Sequence, residues 1–186
     1  MYYTLIAARS LLGVVFLSAA LGKVARRRAF GSYVRSLRQM DVVPDRLTRP
    51  TAVCVVASEL SVCFTLALPT AHTPVVGLAG AAVLLSAFTF AVASALVRGT
   101  DARCDCFGTP VPLRRRHLVR NAVLLAFTVT LLVGEAINFL PPGGSHPVGF
   151  AVAAATGLVG GVLVVALDDI AALFLTEKPA PLPAPR

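Results

Sequence analysis

Long apolar runs separated by short polar breaks organise this chain. They cover about residues 5–21, 51–68, 74–96, 118–140 and 148–172. A helix crossing about 30 Å of hydrocarbon needs roughly 20 residues, and each run comes close to or exceeds that length. None alternates apolar and polar residues as a barrel strand must. Inside a bilayer the backbone has to satisfy its own hydrogen bonds, which leaves helices. The pattern therefore predicts an all-α fold, a polytopic membrane helical bundle. For the first run a cleaved signal peptide is the competing reading, since it is short and ends in the small residues of SAALGK. The weak positive start and the basic residues that follow count against it.

The breaks differ in character. VARRRAFGSYVRSLRQMDVVP mixes basic and apolar residues at helical intervals, so Phe30, Tyr33, Val34 and Leu37 can share one face. An amphipathic helix lying flat at the interface and an ordinary solvated loop both fit. Gly157 and Gly161, with Ala153 one step earlier, mark a face of the fifth run where another backbone can approach closely. The tail at 176–186, TEKPAPLPAPR, is Pro/Ala-rich and is expected to be disordered.

Composition strengthens the membrane reading. The 186 residues are 56% hydrophobic and 14% charged, against about a quarter charged in soluble domains. Mean hydropathy is +0.79. The chain carries 17 Lys and Arg against 9 Asp and Glu. These bases are not interleaved with aromatic residues, so nucleic acid is not the expected partner; the lipid bilayer is. Lys23, Arg26, Arg27, Arg28, Arg35, Arg38, Arg46 and Arg49 fall in one connection. Arg98, Arg103, Arg114, Arg115, Arg116 and Arg120 fall in another. The connections near 69–73 and 141–147 hold none. By the positive-inside rule the two basic connections face the cytoplasm and the N-terminus lies outside. The expected location is a bacterial-type inner membrane, crossed several times.

CDCFG at 104–108 brings two of the four cysteines together in one of the basic connections. Three readings compete. A metal site would need four ligands for zinc, and no second cysteine pair completes the set, so no metal is expected. Chance proximity is the second. The third, redox exchange, is favoured: a disulfide across one intervening residue closes a small strained ring, which is readily reduced. Gly108 allows a tight backbone path, and Arg103 favours the thiolate while Asp105 opposes it. Cys54 and Cys63 are nine residues apart, about 13 Å of helical rise and half a turn out of phase, so they cannot bond each other. Cys54 lies near the basic end of its helix and is a candidate resolving thiol for the 104/106 pair. Cys63 is the thiol placed toward the other half of the membrane. A quinone is a candidate second electron carrier, although no motif marks a site for it.

Glu59 falls near the middle of the second run, where a carboxyl is a functional candidate by default. Lys23 and Ser18 on the first run are its candidate partners, and a structural hydrogen bond between helices is the plainer reading. His72, His117 and His146 are expected at the surface. No catalytic triad, phosphate loop or HExxH is present.

FLSAALGKVAR at 16–26, SEL at 58–60 and CDCFG followed by HLVRNAVLL at 117–125 resemble the DoxX and MauE membrane proteins, the last two stretches the MauE branch in particular. The resemblance spans roughly residues 5–140. It implies a four-helix core over 1–140, which leaves the apolar run in 141–175 as an additional C-terminal transmembrane helix. It also implies a redox-associated role: maturation of the disulfide-rich small subunit of methylamine dehydrogenase, beside a thioredoxin-like partner. Cys104 and Cys106 would be the active pair, with Glu59, Lys23, Arg120 and Asn121 supporting. Two other functions stay open at this point. One is a non-catalytic scaffold or assembly factor for a partner enzyme. The other is a carrier or biosynthetic membrane enzyme with Glu59 and Lys23 lining a cavity.

Overall fold

The computed structural model describes residues 2–25, 27–41, 43–68, 73–98, 103–104, 111–112, 115–137 and 146–174. Its helices are α1 (Tyr2–Val24), α2 (Arg27–Gln39), α3 (Asp45–Ala67), α4 (Thr73–Val97), α5 (Arg115–Ile137) and α6 (Pro147–Phe174). A two-residue pairing of β1 (Arg103–Cys104) with β2 (Val111–Pro112) lies between α4 and α5. Five of the helices, all but α2, are long and apolar enough to cross a membrane, as the five runs predict. The tail at 176–186 lies outside the described residues.

α3 starts six residues before the apolar run that announces it. The extra turn and a half, DRLTRP, is amphipathic, with Thr48 fully buried and Arg46 and Arg49 exposed. Hydropathy registers only the lipid-crossing part of a helix, so this extension is invisible to it.

The spanning helices pack in a row, α6 on α1, α1 on α3, α3 on α4 and α4 on α5. The row closes around one apolar cluster. Leu12, Val15 and Phe16 of α1 meet Val62 and Leu66 of α3, Leu78, Ala81 and Leu85 of α4, and Leu124 of α5. α1 is thus an integral wall of the bundle. Outward positions such as Phe64, Val83, Phe90 and Val123 stay more than 60% exposed. In lipid an outward apolar residue carries no penalty, so the outside of the bundle is as apolar as its centre.

Glycines set the close approaches. A Cβ on Gly161 would come within 2.7 Å of Val14 Cβ and 2.9 Å of the Leu11 carbonyl oxygen. One on Gly157 would collide with the Ala7 carbonyl. Ala153 is buried on the same face. The GxxxG face therefore seats α6 directly on the backbone of α1.

Of the two readings of the 23–50 connection, the helix is realised. α2 rests on α1 and α3. Its buried side is Tyr33, Ser36 and Met40, with Phe30, Val34 and Leu37 half-buried, while Arg28, Arg35 and Arg38 point outward. Asp41, at φ 47°, turns the chain into the left-handed region and ends the helix. The Asp41 carbonyl accepts a 2.9 Å hydrogen bond from Arg98 Nη1 at the end of α4. Both basic connections therefore leave the bundle at the same end.

Candidate functional site

Lys23 sits in the last turn of α1 yet is 1% exposed, because its side chain turns inward rather than out to the interface. Its Nζ lies 2.5 Å from Glu59 Oε1, and Glu59 is fully buried on α3. The ammonium also stands 5.1 Å from the ring centre of Tyr33 on α2 and 5.3 Å from that of Phe88 on α4. An ammonium over an aromatic face is attracted by the ring's negative centre, by about 0.5 kcal/mol when exposed and 2 or more when desolvated. Four helices thus converge on one cation. Glu59 Oε2 has no hydrogen-bond partner among the described residues.

Tyr33 and Phe88 have a second role. Together with Ser36, Leu37, Met40, Ala91 and Val92 they wall a cavity of about 30 Å³ between α2 and α4, room for roughly one water molecule. Burial, with a smaller contribution from the Glu59 charge, pushes the Tyr33 hydroxyl above the usual phenol range.

The structure brings Lys23 to Glu59 and leaves Ser18 aside, since the Ser18 hydroxyl bonds back to the carbonyls of Val14 and Val15. Cys54 is exposed on α3, on the side away from Glu59, and Cys63 is half-buried, its thiol 3.8 Å from the Gly13 carbonyl. Both are free thiols.

The C-x-C stretch is described only in part. Cys104 lies in β1, where it pairs with Val111 in antiparallel register. Cys106 and Gly108 lie outside the described residues. β1 lies against α2, so the strand bearing Cys104 stands over the helix that covers the Lys23–Glu59 pair. β2 leads within three residues to α5, whose second turn carries Arg120 and Asn121, both half-buried.

His117 corrects an expectation. It is 4% exposed rather than at the surface, because the first turn of α5 already packs into the bundle. Two groups went unseen in the sequence. Phe88 is one apolar residue among many in a lipid-spanning run, and nothing in its neighbours distinguishes it. Arg9 looks like a weak leader charge, but its guanidinium donates to the carbonyls of Leu66, at 2.8 Å, and Leu68, at 2.5 Å. It thereby satisfies two of the carbonyls that the end of α3 leaves open.

Over residues 1–134 the sequence matches the family described as methylamine utilisation protein MauE. The methylamine utilization protein MauE of Paracoccus denitrificans is 32% identical over 131 residues, covering 69% of this chain and 68% of its own. That of Paracoccus versutus is 34% identical over 161 residues, covering 83% of this chain and 78% of its own. No solved structure matches. The family match takes in α1 to α4, the C-x-C hairpin and most of α5, which are the elements that build the site. This chain belongs to the MauE family.

Proposed function

We propose that this protein acts in methylamine utilisation as a membrane thiol–disulfide exchange protein, working through Cys104 and Cys106. The observation that carries the reading is the hairpin. The register of Cys104 with Val111 holds one thiol-bearing residue of the pair on a short strand against α2. A thiolate of the pair attacks a partner's disulfide. The partner's S–S bond breaks, a mixed disulfide forms, and the departing partner thiolate takes a proton. The second thiolate then attacks the mixed disulfide. This releases the partner as a dithiol and leaves a disulfide between Cys104 and Cys106, so two electrons have passed to the partner. Run in reverse, the same steps oxidise the partner. A thioredoxin-like protein or a maturing disulfide-containing subunit fits the partner's chemistry.

The basic connections support a cytoplasmic face for the hairpin. The Lys23–Glu59 pair, 1% and 0% exposed, supports an internal bracing role more than a lining for an open cavity. Cys54, exposed on α3, is a candidate resolving thiol, and Cys63 is half-buried against α1.

The test is a redox titration of the full chain in nanodiscs, with thiols tagged by a mass reagent after equilibration in dithiothreitol buffers. Two thiols should change state together and should vanish in Cys104→Ser/Cys106→Ser. A pair that stays in one state across the accessible potentials removes the exchange reading. So does a double variant that supports methylamine growth as well as the natural sequence.

A further inference from the structure

We infer that Lys23 is a clasp that positions the strand of Cys104, holding α2 under β1 through a cation cage made by Glu59, Tyr33 and Phe88. The inference rests on Cys104 and Cys106 being the working thiols and assigns the buried pair a part in their chemistry. Lys23 is a positioning residue in this scheme: it touches no reacting atom.

Three observations meet here. The first is the convergence itself. The ammonium is 2.5 Å from Glu59 Oε1 and just over 5 Å from the centres of both rings. Each of these three contacts comes from a different helix. The second is that the buried hold on α2 is small, since its ion pair from Arg38 to Asp45 is exposed. α2 is a short helix of 13 residues, and its main inward anchors are Tyr33, Ser36 and Met40. Tyr33 is the one aromatic ring among these anchors, and it faces the cation. The third is that β1 lies against α2. Hence a shift of Tyr33 moves the platform on which the Cys104 strand rests.

The cage also has a ligand chemistry of its own. An anionic carboxylate with two aromatic faces is a receptor for alkylammonium ions, and Lys23 is its tethered occupant. Truncation to alanine removes the three outer methylenes and the ammonium, which is the outline of n-propylammonium. The free ion should therefore replace the missing side chain, seated by the same carboxylate and rings.

The experiment uses the full chain in nanodiscs with Cys54 and Cys63 replaced by alanine, so that only Cys104 and Cys106 react. After reduction, their rate of alkylation is measured in Lys23→Ala and in Tyr33→Leu. Each variant should shift the rate by roughly fivefold or more, the lower end of coupling between linked sites. Addition of n-propylammonium should restore the Lys23→Ala rate, and tetraethylammonium, too large for the cage, should not. It should leave Tyr33→Leu unrestored. An unchanged rate in Tyr33→Leu overturns the clasp, and that variant decides the matter if Lys23→Ala does not fold. A changed Lys23→Ala rate that n-propylammonium fails to reverse overturns it as well. The exchange reading fails separately, in the redox titration, because alkylation reports hairpin placement whether or not the thiols ever cycle.

Discussion

Replacing Lys23 with methionine isolates the energetic role of the buried pair. Methionine fills most of the lysine stem with apolar volume, so packing changes little. Among the described residues the carboxylate of Glu59 then has no partner at Oε1, and Oε2 already has none. Breaking a buried pair by removing one member costs about 3–5 kcal/mol. The protein can limit this by protonating the stranded carboxyl, and neutralising a carboxyl of ordinary acidity at pH 7 costs about 3–4 kcal/mol. The two routes agree, so a loss of about 3–4 kcal/mol is expected. The loss of two ring contacts adds about 1 kcal/mol or more. Adding Glu59→Leu to Lys23→Met removes the stranded group. The double variant should then be more stable than Lys23→Met alone, by about 2 kcal/mol or more, since coupling between contacting residues reaches that size. Reversible unfolding in mixed micelles at pH 7, followed by circular dichroism, measures all members of the cycle. A cost below about 1 kcal/mol for Lys23→Met, or strict additivity in the double variant, refutes the argument.

Other consequences follow from the packing. Gly157→Leu should drive α6 off α1, because even a Cβ there collides with the Ala7 carbonyl; spin-label distances between α1 and α6 should lengthen while those between α1 and α3 hold. Phe16→Ala should destabilise the bundle by about 3–5 kcal/mol, since Phe16 is 2% exposed at the centre of the cluster. Phe64→Ala, on a side chain 66% exposed toward lipid, should cost far less, and equal losses would disprove the assigned core. Arg9→Met should leave the carbonyls of Leu66 and Leu68 without their donor, and faster hydrogen exchange at the end of α3 is the readout. Tyr33 is held neutral by burial. The contribution of its neutral phenol is therefore complete below the ordinary phenol value and declines as pH rises past it. In a tyrosinate absorbance titration, Tyr33→Phe should remove a component that ionises above the ordinary phenol range.

The sequence alone determined the material of this fold. Five apolar runs of spanning length became five helices because a bilayer offers an unpaired backbone no alternative. The GxxxG face of the last run seated α6 on α1, because two glycines permit a backbone contact that any larger residue would block. A glutamate in the middle of one run and a lysine at the end of another were legible as partners, since an unpaired charge in hydrocarbon is too costly to leave alone. What tertiary structure decided was everything that depends on which face meets which helix. In lipid the outside of a helix is as apolar as the inside, so hydropathy cannot separate buried Phe16 from exposed Phe64. It cannot show that Phe88 walls the lysine cage, that Arg9 closes the end of α3, or that the strand of Cys104 stands on α2. Those facts exist only once the helices have packed, because each joins residues far apart in the chain through a register that composition does not record.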